Sequence, residues 1–421
     1  MRHTLDIALA RQPIFDRTDH VIGYELLYRR TARDTAALPP DDPGASQMTT
    51  DTIAGTFLGM GLERVTGGKR AFVNVDRWML LDGSVRVLEP DQVVLEILES
   101  VACDPETLAA CAALVGEGYV IALDDFEYSE SYEPLLRLAR IVKLDVLGKS
   151  EAALANVLER LRPFGVRCLA ERVESSTTRM MCVRLGFDLF QGYYFAHPET
   201  LSGREIPVEQ AHIIRLLNLL RDPTQSDVVL EDIFRRDLSL TYKLLRIVNS
   251  ASTGHVGVTS IGHGLRLLGR GSLHRWMALL LVSSMATRSP VHDELVEMAM
   301  IRARFCELIT ETFGQRRDGG ASFVAGLFSL LDALMEVSMS DLVAKLDLTP
   351  ELKQVLVERE GPFAPALRVV EAYESARWTE VFSTIALGDR VIETLPELYL
   401  RAVEWAHENG PPRRASEGFA L

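Results

Sequence analysis

The sequence predicts an α/β fold, a TIM-like β/α barrel, followed by an all-helical domain. Two observations predict it. The first is a series of short apolar runs that close on polar residues: Val21-Ile22-Gly23-Tyr24-Glu25, Ala71-Phe72-Val73-Asn74, Val93-Val94-Leu95-Glu96, Val120-Ile121-Ala122-Leu123-Asp124-Asp125, Ile141-Val142-Lys143-Leu144-Asp145, Cys168-Leu169-Ala170-Glu171 and Leu189-Phe190-Gln191. The second is a change after Phe195, beyond which the apolar spacing becomes helical.

Runs of this length read as buried strands, and amphipathic segments between many of them make repeated strand-helix units with a parallel sheet. Parallel barrel strands are buried on both faces, so polar side chains are tolerated mainly where a strand emerges. Barrel enzymes place their chemistry at the C-terminal strand ends. The polar residues closing the runs would therefore meet at one mouth.

The turn-rich segment Ala196-His197-Pro198-Glu199-Thr200-Leu201-Ser202-Gly203-Arg204 marks a boundary. We expect a barrel over 1–203, a helical domain over 204–408 and a flexible tail over 409–421. In the helical half, Ile213, Ile214, Leu216, Leu217 and Leu220 lie on one broad face, and Leu240, Leu244, Leu245 and Val248 repeat it. Asp222-Pro223 and Asn249-Ser250 read as helix ends, and Ser272 precedes an apolar helix around Met277 to Val282. The stretch Leu38-Pro39-Pro40-Asp41-Asp42-Pro43-Gly44 and the C-terminal tail read as loosely held.

A chain of 421 residues with 47% hydrophobic content has ample material for two full cores. Its net charge of -14 argues against binding a nucleic-acid backbone, whose affinity comes from Lys and Arg neutralising phosphates. A small anionic ligand held through metal ions remains compatible with that charge. Five cysteines without a C-x-x-C pair point to free thiols in a reducing compartment, and the N-terminus shows no secretion signal, so a cytoplasmic protein is expected. The stretch Trp276 to Thr287 is too short to span a bilayer and reads as a buried core helix.

Taken singly, the strand-end residues have ordinary explanations. Asp124-Asp125 could cap a helix, Glu25 could form a surface salt bridge, Asn74 could make a turn, and Lys143 could pair with one acid at a strand end. As a set they conflict: like charges 4 Å apart repel by about 4 kcal/mol at an effective dielectric of 20. Such carboxylates must spread, protonate or bind cations. Hard oxygen ligands suit Mg²⁺ or Mn²⁺, and a pair of such ions can clamp a phosphodiester and activate water.

Glu25-Leu26-Leu27-Tyr28-Arg29 resembles the E-A-L-x-R signature of EAL domains, the cyclic di-GMP phosphodiesterases, and further segments follow in that family's order. Val73-Asn74 resembles its strand-end Asn, Leu95-Glu96-Ile97-Leu98-Glu99-Ser100 its E-L-T-E-S, and Ile121-Ala122-Leu123-Asp124-Asp125-Phe126 its I-A-L-D-D-F. Val142-Lys143-Leu144-Asp145 is similar to K-I-D, Ala170-Glu171-Arg172-Val173-Glu174 to A-E-G-V-E, and Phe190-Gln191-Gly192-Tyr193 to Q-G-Y. The resemblance implies that Glu25, Asn74, Glu96 and Asp124 are metal ligands, with Asp125 and Glu171 completing the metal and water site. It further implies that Lys143 holds or polarises the attacking water, that Gln191 orients nearby groups and that Arg29 faces a substrate phosphate. Where the family carries a glycine-rich loop after D-D-F, this chain has Glu127-Tyr128-Ser129, which lacks glycine's access to positive φ. The loop must follow a different path. That points to weak or conditional hydrolysis, or to binding without hydrolysis.

The segment from Leu230 to Asn249, with Leu244-Leu245-Arg246-Ile247-Val248-Asn249-Ser250-Ala251, resembles the L-L-R-x-x-N-S-A run of HDOD domains. Ile261-Gly262-His263-Gly264-Leu265-Arg266-Leu267-Leu268-Gly269 resembles their A-I-x-x-L-G turn. These domains are helical relatives of HD phosphohydrolases that lack the metal residues, so no cofactor is expected there. Gly326-Leu327-Phe328-Ser329-Leu330 stands where an HD enzyme carries G-L-L-H-D. The literal pair His292-Asp293 follows Pro290, and Asp293 reads as a helix N-cap. The cluster Arg266, Arg270, His274 and Arg275 could form a nucleic-acid or anionic patch, but charge complementing a helix C-terminus explains it as well and is the preferred reading.

The expected protein is a cytoplasmic signalling protein. Its barrel would bind cyclic di-GMP and open it to linear pGpG, and its helical domain would contact protein partners. The alternative is an inactive receptor or scaffold, and a barrel enzyme for another phosphoester also stays open. The resemblance implies dimerisation through the barrel.

Overall fold

The computed structural model describes residues 7–30, 62–192, 213–214, 217–220, 261–283, 289–313, 319–335, 337–346, 348–384 and 389–410. It divides into two compact units. One comprises Met1–Glu199, Ser289–Glu294 and Arg368–Leu421, and the other Thr200–Arg288 and Leu295–Leu367.

The first unit is built on a closed barrel in which the strands neighbour one another in sequence order. They are β1 (Ile7–Asp16), β2 (Val21–Arg30), β3 (Arg70–Val75), β4 (Val93–Ile97), β5 (Val120–Leu123), β6 (Ile141–Asp145), β7 (Arg167–Glu171) and β8 (Leu189–Gln191). All seven apolar runs are strands, and β2 to β8 run parallel. The eighth strand, β1, is antiparallel to both β2 and β8, and the run pattern did not anticipate it. Arg11, Gln12 and Pro13 interrupt its apolar sequence.

Side chains on a strand alternate with period 2, which stacks the barrel interior in layers. Phe72, Val94, Ala122, Ile141, Leu169 and Leu189 form one fully buried apolar layer with Ile14. Two residues further along each parallel strand stand Asn74, Glu96, Asp124, Lys143, Glu171 and Gln191. On β2 the corresponding pair is Gly23 and Glu25. A Cβ at Gly23 would come within 2.8 Å of the Phe72 ring, so the glycine makes room for that ring. Because β1 runs the other way, its polar residue at the same level is Gln12, two residues before Ile14.

The connecting helices are α1 (Leu62–Thr66), α2 (Arg77–Asp82), α3 (Pro105–Gly116), α4 (Glu133–Leu136), α5 (Glu151–Leu161) and α6 (Ser176–Leu185). Asp76, Asp104, Ser150 and Ser175 cap α2, α3, α5 and α6 by accepting a backbone N–H at the first turn. These caps fix where each helix leaves its strand-end loop.

The C-terminal half supplies helices α7 (Ile261–Ser283), α8 (Pro290–Phe313), α9 (Gly319–Phe328), α10 (Leu331–Met335), α11 (Met339–Lys345), α12 (Pro350–Glu358), α13 (Ala364–Glu374), α14 (Trp378–Thr384) and α15 (Asp389–Asn409). Ile213, Ile214, Leu217 and Leu220 are buried, as are Met277, Ala278, Leu281 and Val282. No described helix is long and apolar enough to cross a membrane. All five cysteines are free thiols, and burial pushes Cys111 and Cys168 up to about 12.

Two sequence expectations change here. Ser289, not Asp293, caps α8: its hydroxyl accepts the His292 N–H, Pro290 takes the first helical position, and Asp293 falls within the first turn. In α7 the helix breaks at Gly269, with φ 72° and ψ 158°. Arg270, His274 and Arg275 therefore begin a helical segment instead of ending one, and Arg275 is held by Glu307 at 2.5 Å. The segment Leu230 to Ala251, the stretch 38–44, the boundary segment 196–204 and residues 411–421 lie outside the described residues, as do the side chains of Arg29 and Arg266.

Candidate active site at the barrel mouth

Lys143, fully buried near the end of β6, is the centre of the mouth. Its Nζ lies 2.7 Å from Asp124 Oδ1, 2.9 Å from Glu96 Oε1, 3.0 Å from Glu171 Oε1 and 3.4 Å from Glu25 Oε2. Strands β2, β4, β5 and β7 each contribute one of those acids, or place it one residue past their last position. Gln191, on β8, donates from Nε2 to Glu25 Oε2 at 2.5 Å and to Gln12 Oε1 at 2.9 Å. Asn74 pairs in register with Glu96 at the same level.

The structure thus brings together Glu25, Glu96, Asp124, Lys143, Glu171 and Gln191, with Asn74 beside them. Asp125 stands apart: its side chain is exposed and lines a cavity next to the cluster. Sequence reasoning missed Gln12. Its signal was the alternation Leu9, Arg11 against Ala10, Gln12 on a strand that runs opposite to the others.

One ammonium faces four carboxylates, and the surplus negative charge is buried. Burial alone would depress the Lys143 ammonium, but Glu25, Glu96, Glu171 and Asp124 reverse this and hold it well above the usual lysine range. Burial raises the Glu96 carboxyl well above the carboxylate range; Lys143 pulls it down, while Glu25 and Asp124 add to the rise. Burial likewise pushes Glu171 up to about 8, against the pull of Lys143 and with the push of Asp124 and Glu25. Burial, then Asp124 and Glu99, raise Asp125. Such a centre holds protons until another cation replaces them.

Among the described residues no three His, Cys, Asp or Glu side chains form a ready metal cage, because the ammonium sits between the acids. The donor set nevertheless fits a hard divalent cation. It is all oxygen on its acidic side, and the buried Glu96 Oε2 and Glu171 Oε2 have no hydrogen-bond partner.

Three backbone positions shape the rim. Asp125 and Arg172 hold positive φ, 41° and 56°, and Arg172 donates to Asp145 at 2.8 Å. Gly192 has φ 146°, and a Cβ there would come within 2.2 Å of the Val173 carbonyl oxygen. That glycine lets β8 press against the end of β7, where Val173 N–H donates to Gln191 O at 3.0 Å. After Phe126 the chain is pinned through Tyr128, whose hydroxyl donates to Glu133 at 2.9 Å and whose ring lies 4.1 Å under the Arg160 guanidinium.

In the helical unit, Ser329 donates to the Gly326 carbonyl at 2.7 Å and accepts from the buried Arg302 at 3.1 Å. Its hydroxyl is committed to structure.

Fold and site define a class: a closed β/α barrel with an acidic, lysine-centred mouth, joined to a helical domain. A sequence profile of the EAL domain matches residues 69–198, and one of the HDOD domain matches 206–347. The uncharacterized protein YuxH of Bacillus subtilis is 32% identical over 410 residues, covering 95% of this chain and 98% of its own. The cyclic di-GMP phosphodiesterase CdgJ of Vibrio cholerae is 32% identical over 404 residues, covering 95% of this chain and 92% of its own. The solved PaMucR phosphodiesterase in complex with c-di-GMP is 26% identical, with a TM-score of 0.38, over 49% of this chain and 99% of its own. The chain belongs to the family of proteins that join an EAL barrel to an HDOD domain.

Proposed function

We propose that the barrel binds cyclic di-GMP and hydrolyses it, in the presence of Mg²⁺ or Mn²⁺, to linear pGpG. The observation that carries this reading is the convergence of Glu25, Glu96, Asp124 and Glu171 on Lys143 at the strand ends. Glu25, Asn74, Glu96 and Asp124 would hold the metal ions, with Asp125 and Glu171 at the edge. When bound, the ions supply positive charge to the phosphodiester and make water more acidic. Lys143 offers an ammonium that stays charged and can hold a water or a phosphoryl oxygen. Glu171, whose carboxyl burial raises, would stand beside the attacking water. Gln191 would orient Glu25, and Arg29 would face a substrate phosphate. The attacking water forms a new P–O bond while the P–O3′ bond breaks, leaving a 5′-phosphate and a free 3′-hydroxyl.

The HDOD domain would act as a contact module for protein partners in a cytoplasmic signalling protein, with barrel dimerisation as a further part of the proposal. A receptor or scaffold that binds without turnover is the second reading. It is favoured by the Glu127-Tyr128-Ser129 path, pinned by Glu133 and Arg160. Incubation with cyclic di-GMP and Mg²⁺ or Mn²⁺, followed by chromatography beside a Glu25→Ala control, separates the two. Product that needs metal and vanishes in the control supports the enzyme, whereas no product above the control moves the assignment to the receptor.

A further inference from the structure

The helical unit holds a hollow of about 670 Å³ beside the break in α7, and every residue around it belongs to that unit. The volume lies within the ~300–1,000 Å³ of small-molecule sites. Its floor is apolar, formed by the buried Leu220, Val324 and Leu352 together with Phe363. One wall is the turn that follows Gly269, with Arg270, Ser272, His274 and Arg275. Glu311 and Glu351 stand elsewhere on its edge. Gly271 on α7 and Gly320 on α9 also line it, and a Cβ on either would meet nothing within 4 Å, so open space lies over the backbone at both. The hollow is separate from Ser329, which follows the other end of α9.

The three basic side chains in that wall call for an anion. Arg275 is engaged by Glu307 at 2.5 Å, which leaves Arg270 and His274, with the Ser272 hydroxyl between them in sequence, as the donors that define the wall. The backbone adds charge of the same sign. Because Gly269 breaks the helix, Arg270 opens a new helical segment, whose first N–H groups have no partner within it and carry the positive end of its dipole. No acid stands among residues 270–275 to offset that end. α12 also starts at the hollow, but there Glu351 lies in the first turn and the Thr349 hydroxyl accepts the Leu352 N–H at 3.2 Å. A phosphate group answers the α7 wall best, since its several acceptor oxygens take a guanidinium, a hydroxyl and an imidazole together. A bounded hollow with an apolar floor, in a chain of net charge -14, suits a small ligand better than a nucleic-acid strand. We propose that this hollow binds a small organic phosphate of the mononucleotide class. Its phosphate sits on Arg270, Ser272 and His274 over the Gly271 backbone, its flat base lies on the floor of Val324, Leu352 and Phe363, and Glu311 and Glu351 accept from its hydroxyl or amino groups. The helical domain is then a ligand sensor in its own right, independent of what the barrel does.

The test is calorimetry on the full chain with AMP, adenosine and inorganic phosphate, in EDTA so that no divalent ion reaches the barrel mouth. Wild type should bind AMP about tenfold or more tighter than adenosine, and phosphate should compete with AMP. Arg270→Gln should weaken AMP about tenfold or more and leave adenosine unchanged, as expected when a charge-assisted contact to the phosphate is lost. Gly271→Val keeps every charge, fills the open space over the backbone and should weaken AMP as well; unfolding midpoints close to wild type show that both variants are folded. AMP that binds no tighter than adenosine, or that binds both folded variants as it binds wild type, overturns the proposal. Single-stranded DNA that binds more tightly than AMP, weakens in Arg270→Gln and falls away steeply with salt also overturns it, by making this turn a nucleic-acid surface.

Discussion

The phenol of Tyr24 donates a 2.9 Å hydrogen bond to the carboxylate of Glu294, 270 residues further along the chain. Both groups are buried, and the guanidinium of Arg11 lies 4.3 Å over the Tyr24 ring. Arg11 in turn donates to the Val65 carbonyl at 2.5 Å and stands 3.4 Å from His407. Tyr24 and Arg11 are the outward neighbours of Glu25 and Gln12, so the strands carrying two mouth residues are gripped from behind by segments of the C-terminal half. Tyr24→Phe should lower stability by about 1.5–3 kcal/mol, the range for a hydrogen bond to a charged group. Urea unfolding monitored by tryptophan fluorescence would measure it; a midpoint equal to wild type would show that the bond contributes nothing.

Lys143 makes a second prediction. Removing one partner from a buried ionic cluster costs about 3–5 kcal/mol, because the remaining charges are left uncompensated. Lys143→Met should lose that much at pH 8 without metal. The loss should shrink at pH 5, where the raised carboxyls of Glu96 and Glu171 take up protons instead. Added Mn²⁺ should raise the melting temperature of the variant more than that of wild type. Equal shifts would contradict the role of the ammonium as resident counter-ion.

Tyr373 covers the part of β1 that β8 does not reach, since β8 pairs only with Ile14 to Asp16. The Leu9 N–H donates to the Tyr373 hydroxyl at 3.2 Å, and burial holds that phenol well above the usual tyrosine value. A group whose folded value is raised contributes stability that is complete below its unfolded value, about 10 for tyrosine, and is lost as pH rises beyond it. Tyr373→Phe should therefore flatten the loss of stability above pH ~10, while costing about 1 kcal/mol at neutral pH through the missing acceptor. Denaturation curves at pH 7 and in the alkaline range test both parts, and an identical alkaline slope in the variant would refute the assignment.

Gly192→Ala should destabilise the barrel by about 2–5 kcal/mol. The new Cβ would overlap the Val173 backbone, and the positive φ adds strain of its own. Thermal unfolding measures this directly. A loss below 1 kcal/mol would mean that β7 and β8 separate easily, and Gln191 should then lose its hold on Glu25.

Much of the barrel was legible because two periodicities coincide in it. An apolar residue followed two positions later by an acid, amide or lysine recurs from Phe72 and Asn74 through Leu189 and Gln191, and alternation along a strand places both on the barrel interior. β1 escaped because its polar residues interrupt the run and because an antiparallel strand presents its mouth residue, Gln12, before its core residue, Ile14. Asp125 shows the same limit at the site. Adjacent to Asp124 in sequence, it turns at φ 41° toward the neighbouring cavity.

The sequence by itself determined the seven parallel strands, the level at which polar side chains replace apolar ones, and the change to helices after the barrel. These follow from short-range patterns that every few residues restate. The tertiary structure alone decided that Lys143 sits at the centre of four carboxylates, that Gln12 joins them, and that Glu294 and Tyr373 pack into the barrel's own unit. Those contacts join residues up to 364 positions apart, and partner choice at that distance depends on how all the elements fill space together, which no local pattern encodes.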